Sequence, residues 1–215
     1  MRAGRWSGCK LETYVQQLVQ IQSGDRDLLS AIANTMAAAI RRSGEWIACR
    51  PGCTQCCLGP FAITQLDAMR LREGLSALGV TDPARAQAVR ARAETCVAAI
   101  APLYPGDTAT GELQDEEALP PSMDDVPCPA LDPETGYCDL YDARPITCRA
   151  FGPVTRTGEE RLAACELCYV GATDEEIAQC AVEVDPEGLE GKLLAALDEE
   201  GLSGMTIVAW ALVSR

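Results

Sequence analysis

Cys49-Arg50-Pro51-Gly52-Cys53-Thr54-Gln55-Cys56-Cys57 places four thiols within nine residues. A Cys-x2-Cys spacing lets two thiolates meet one metal, or one face of a cluster, because the short loop turns both sulfurs inward. Adjacent side chains seldom converge on one small ion, so Cys56 and Cys57 are expected to reach different metal atoms. Further thiols stand outward from this stretch. Cys128, Cys138 and Cys148 follow at regular intervals, and then Cys165-x2-Cys168, with Cys180 beyond. Cys9 and Cys96 stand apart. The chain holds 12 Cys and no His. That pairing excludes His-paired nucleophiles, imidazole metal ligands and serine or cysteine protease triads of the usual kind.

The chain has enough length and apolar content to fold without covalent staples. Its 215 residues are 47% apolar and 23% charged, and a chain of this size buries roughly 70% of its unfolded surface. The N-terminal stretch has early arginines but no apolar segment, so it does not read as a secretory signal. No apolar run approaches the ~20 residues of a membrane span. A cytoplasmic location is expected, where thiols stay reduced and clustered Cys bind metal or do redox chemistry rather than form six disulfides. Net charge is −14, and residues 101–215 hold 6 basic against 24 acidic side chains. Nucleic-acid binding relies on neutralising phosphates with Lys and Arg, so no nucleic-acid partner is expected, nor a membrane.

Helical patterning surrounds the cysteine-bearing middle. Leu11, Val15, Leu18 and Val19 share a face, Ser23-Gly24 breaks the run, and a second helix carries Leu28 to Ile40. Helices follow at about Thr64–Leu78, where Thr64 and Asp67 match a capping box in its acidic form, and from Asp82-Pro83 to about Ile100. The stretch from Asp107 to Asp139 is rich in proline, glycine and acidic residues, lacks any basic one, and reads as irregular with a hairpin turn at Asp132–Gly136. Helix returns at Thr173–Val182 and about Pro186–Glu199, before a final apolar element from Ser203. The fold class is mostly α: a single domain of helices around an irregular, cysteine-rich metal-binding middle. Its expected organisation is an N-terminal helical extension (1–45), a cysteine-cluster domain (46–182) and a C-terminal helical element packed on it (183–215).

Thiolate ligands suit both zinc and iron–sulfur clusters. Zinc sites often include His, and structural ribbons usually show two regular Cys-x2-Cys knuckles. The longer spacings and the absence of His favour iron–sulfur here, and zinc stands as the alternative. Cys49-x3-Cys53-x2-Cys56 also satisfies a radical-SAM spacing, but the βα pattern of a barrel is missing and the match reads as coincidence. Cys96, among Ala and Val on a helix, reads as a small buried hydrophobe, and Cys9 likewise as no ligand. Cys180 reads equally well as a core residue or a ligand.

The motif Cys53-Thr54-Gln55-Cys56-Cys57, followed by Ile63-Thr64 and Asp67, resembles the cysteine-cluster family named for CxxCxxCC. The resemblance continues in Cys128-Pro129-Ala130-Leu131-Asp132, Gly136-Tyr137-Cys138, and Tyr141-Asp142-Ala143-Arg144-Pro145-Ile146-Thr147-Cys148-Arg149-Ala150-Phe151. The first gap here is three residues where the family name implies two. The resemblance implies a zinc- or iron-chelating domain; members are often labelled iron–sulfur oxidoreductases, and flagellin lysine methylases are similar in this motif.

A cluster or a zinc tetrathiolate carries net negative charge. Arg144 and Arg149 flank Cys148 and would offset that charge and donate hydrogen bonds to sulfur; Tyr137 and Tyr141 would donate or pack. For Arg144 a surface pair with Asp142 or Asp139 is an equal alternative. Pro145 ends local helix and fixes the approach of Cys148. The reading is therefore a metal-binding protein with an all-cysteine site at Cys49, Cys53, Cys56, Cys57, Cys128, Cys138, Cys148, Cys165 and Cys168. Arg149, Arg144 and Tyr141 lie beside the cofactor. The cofactor expected is a 4Fe-4S cluster, with more than one metal atom per chain, in a redox or electron-transfer role. The alternative is a zinc-binding structural or storage module without turnover. No catalytic residue, substrate or protein partner is assigned.

Overall fold

A computed structural model describes residues 8–115, 118–157 and 161–213, with the backbone alone for 8–13, 157, 161 and 162. The side chain of Cys9 lies outside the described residues. The first element, α1 (Gly8–Ser43), is one helix of 36 residues, about 54 Å long at 1.5 Å per residue. The break expected at Ser23-Gly24 does not occur. Gly24 instead lets another element approach closely, because a Cβ there would come within 2.7 Å of Leu193 Cδ2. Burial of Ile21, Leu28, Ile32 and Met36 against Leu197 carries the helix through the glycine, which outweighs a local cost of ~1 kcal/mol.

The remaining elements follow in order: β1 (Ala62–Thr64), α2 (Gln65–Thr81), α3 (Pro83–Ile100), β2 (Gly106–Asp107), β3 (Glu112–Leu113), α4 (Ile146–Ala150), β4 (Thr155–Thr157), β5 (Arg161–Ala163), α5 (Asp174–Cys180), β6 (Val182–Glu183), α6 (Leu189–Glu199), β7 (Met205–Ile207) and α7 (Val208–Val213). Local chemistry explains several starts. Thr64 accepts from the Asp67 amide at 3.2 Å, Asp82 accepts from the Arg85 amide at 3.0 Å ahead of Pro83, and Thr173 with Glu176 forms a complete capping box on α5. The chain is mostly α and forms a single domain, with two small sheets.

Both sheets escape the sequence pattern because their strands span only two or three residues. One runs β1-β7-β3-β2, all antiparallel, with Ile63 opposite Thr206 and Leu113 opposite Met205. The final apolar segment therefore divides into β7 and α7 rather than forming one element. The stretch taken as irregular contains the β2–β3 hairpin, closed over Trp210, which stacks on Tyr104 with ring centroids 4.0 Å apart. The other sheet runs β5-β4-β6, with β4 and β6 parallel. The expected turn at Asp132–Gly136 is present: Asp132 N donates to Tyr137 O, and Gly136 N to Asp132 O.

Helices α2, α3 and α7 share a core of Leu71, Leu75, Val89, Ala93, Val208 and Leu212. A buried ionic group ties α1, α2 and α4 together. Arg70 lies between Asp25 and Asp67 at 2.5 Å from each, and Asp67 also accepts from the Ile146 amide at 3.0 Å. The Asp67 carboxylate is thus directed across the fold rather than only along its own helix. Arg70 and Asp67 are 7% and 2% exposed, and stripping one partner from a buried pair costs about 3–5 kcal/mol. Arg70→Ala is expected to lose stability on that scale in denaturant titration, and a loss below about 1 kcal/mol would show the group to be inessential.

Candidate metal centre

The loop that carries the first four thiols is wound by two turns. Cys53 N donates to Arg50 O at 3.0 Å across Pro51-Gly52, and Cys57 N donates to Thr54 O at 2.8 Å, closing a single 3-10 turn at Gln55–Cys57. From there the chain pairs with the second thiol block. Cys128 N donates to Cys57 O at 2.8 Å, and Leu58 bridges Pro127 in antiparallel fashion. A second bridge, Leu131 with Cys138, brings the two ends of the Asp132–Gly136 turn together. Cys148 rides on α4, which begins after Pro145; proline here opens the helix rather than ending one.

These segments enclose one cavity of about 730 Å³, whose lining includes Cys49, Cys53, Cys56, Cys57, Cys128, Cys138, Cys148 and Cys165. Cys168 is close enough to Cys49 to help raise its thiol, and Cys165 and Cys168 are both buried. Their knuckle is anchored by backbone: Cys165 N donates to Gly152 O, Cys168 N to Cys165 O, and Tyr169 N to Trp46 O. Gly152 matters for a steric reason. It adopts a φ of +119°, and a Cβ on it would come within 2.6 Å of Cys49 Sγ. Nothing in its sequence context marked it out. Among the described residues, no three His, Cys, Asp or Glu side chains already close on a single ion; the thiols stand along a cavity wall.

Two cysteines fall elsewhere. Cys180 packs with Val154 and Tyr169, its thiol directed to Arg42 O at 4.0 Å. Cys96 is on α3 beside a separate pocket of about 20 Å³ that it shares with Cys128. One wall of the main cavity comes from α1, through Ile32, Ala33, Met36, Ala37 and Ile40. The sequence signature began beyond that helix and held no hint of this.

Arg144 and Arg149 both line the cavity. Arg144 donates through Nε to Tyr141 O at 2.8 Å and lies 3.5 Å over the Tyr141 ring. Arg149 donates to Arg144 O at 2.9 Å and to Asp142 O. Of the two surface partners expected for Arg144, Asp139 is instead taken by Arg85 and Arg92 of α3. Both site guanidiniums are thus held by backbone carbonyls on the cavity wall.

The thiols do not share one protonation behaviour. Burial raises Cys128 and Cys49 to about 12, the latter also through Cys168, Cys165 and Cys53. Cys148 is raised by burial and then by Cys128, Cys56 and Cys138. Cys56 goes the other way, to about 6, chiefly because the neighbouring Cys57 thiol donates to its sulfur, with help from its own amide and Arg144; Cys57 is correspondingly pushed up.

A family model named CxxCxxCC, described as a "Putative zinc- or iron-chelating domain", matches residues 48–169, more than half of the chain. No curated protein and no solved structure matches the chain.

In the metal-free chain, Cys56 is expected to be alkylated first at neutral pH and Cys57 last. The Cys56 rate should fall as pH drops through about 6, where its thiolate takes up a proton. Site-resolved mass spectrometry of iodoacetamide-treated protein would read this, and Cys57 reacting ahead of Cys56 would reverse the assignment.

Proposed function

Since the chain belongs to the CxxCxxCC family of metal-chelating domains, we propose that it is an iron–sulfur protein with a redox or electron-transfer role. The ligands are drawn from Cys49, Cys53, Cys56, Cys57, Cys128, Cys138, Cys148, Cys165 and Cys168. The carrying observation is the donor set: eight thiols on the wall of one cavity, in a chain that has no imidazole. One zinc ion is satisfied by four sulfurs at about 2.3 Å, and this supply exceeds that need. Thiolate donors fit iron–sulfur chemistry, and such a cluster would supply one-electron transfer.

The other residues support the same reading. Arg144 and Arg149 bring positive charge to a cavity whose loaded thiolates would be negative, and their tethering to backbone carbonyls fixes them there. Tyr141 holds the Arg144 guanidinium in place from below. Cys165 and α1 each supply part of the cavity wall. A reducing cytoplasmic compartment suits such a site.

Anaerobic purification with iron, zinc and acid-labile sulfide measured per chain tests this proposal. Iron and sulfide in near-equal amounts, with a broad visible charge-transfer band, are expected. A colourless protein holding stoichiometric zinc would replace it with the structural or storage reading. Cys148→Ser should lose metal and thermal stability together, since metal binding supplies folding energy, whereas Cys96→Ser should keep its metal. Loss from Cys96→Ser alone would displace the ligand set.

A further inference from the structure

Building on that metal-binding reading, we propose that the chain carries two separate thiolate centres. Cys49, Cys53, Cys165 and Cys168 hold one, and four of the five thiols Cys56, Cys57, Cys128, Cys138 and Cys148 hold the other. The division falls inside Cys53-x2-Cys56, not between the adjacent Cys56 and Cys57, where spacing alone would put it.

Backbone and packing carry the first group. Cys49 Sγ abuts Gly152, the residue whose carbonyl accepts from Cys165 N at 3.2 Å. Gln55, between the two halves of the loop, donates to Glu166 at 2.8 Å and lays the loop across the Cys165–Cys168 knuckle. That knuckle is a rigid support. Tyr169, directly after Cys168, adopts a φ of 60°, a strained value for a bulky residue that the surroundings must enforce. They do so through its hydroxyl, which is shared with Ser43 at the end of α1 (2.6 Å) and accepts from Val154 N (3.0 Å).

The second group is built by different elements. The Cys57–Cys128 hydrogen bond, the Leu58–Pro127 bridge and the Leu131–Cys138 bridge form a small ladder, and α4 carries Cys148 on the wall of the cavity that both groups share. Electrostatic neighbours respect the same line: Cys49 feels Cys168, Cys165 and Cys53, whereas Cys148 feels Cys128, Cys56 and Cys138. The turn at Gln55–Cys57 is where the chain passes from one group to the other, so Cys53 and Cys56 face different partners despite their spacing.

Two paired variants, Cys165→Ser with Cys168→Ser and Cys128→Ser with Cys148→Ser, test the division on the full anaerobically loaded chain. Each is expected to keep half of the wild-type metal and its helical circular dichroism. Because a variant that fails to fold decides nothing, the wild type is also stripped with graded chelator, alkylated with iodoacetamide and mapped by mass spectrometry. Cys49, Cys53, Cys165 and Cys168 should become reactive as one block, separately from the other five. Release of all nine thiols together, or a folded paired variant that keeps all or none of its metal, overturns the division. The two readings fail differently. Zinc in two blocks leaves the division standing and removes the iron–sulfur assignment, whereas iron and sulfide released as one block does the reverse.

Discussion

Arg70, held between Asp25 and Asp67, is the constraint on which the placement of the metal centre depends. A buried guanidinium is tolerable only when it is paired and its hydrogen bonds are used. Here Asp25 belongs to α1, Asp67 and Arg70 to α2, and Asp67 spends its remaining capacity on the Ile146 amide at the start of α4. Arg70 also reaches the Arg144 carbonyl, and Arg149 donates to that same oxygen. One ionic group therefore sets how α1 covers the cavity, where α4 presents Cys148 and where Arg144 turns its charge. None of the three side chains is a thiol, yet three walls of the site meet through them.

A second ionic group does for the Cys128–Cys138 segment what the first does for α4. Asp139 is almost fully buried and accepts from Arg85 and Arg92, and Arg92 also donates to Pro129 O. The acidic middle of the chain thus docks on the basic face of α3. This gives a use to the uneven charge of the two halves, since the arginine-bearing first half supplies partners that the acid-rich second half lacks.

Helix starts were readable at Thr64, Asp82 and Thr173, where a capping side chain stands ahead of the helix. The mostly helical class followed from these. Gly24 misled because its helix-breaking tendency is local, whereas the reason for it, Leu193 packing against it, lies far along the chain. The strands were too short to show a two-residue period. At the site, thiol spacing pointed to eight residues that line one cavity. Gly152, the α1 wall and the direction of Asp67 act through tertiary contact, and neither spacing nor motif carries that information.

The protonation pattern bears on how a metal would bind. Bringing thiols together in a half-buried cavity raises most of them, by burial and by one another, as at Cys49, Cys128 and Cys148. Without a metal, the fold keeps these sulfurs neutral at little electrostatic cost. Each thiolate that binds must first shed its proton, so loading and proton release are linked. Cys56 is the exception: Cys57 chiefly, with its own amide and Arg144, lowers it to about 6. A thiol that ionises more readily than its neighbours would meet a cation with the least proton release. A bound metal would offset the burial and mutual repulsion that raise the other thiols and so favour their ionisation.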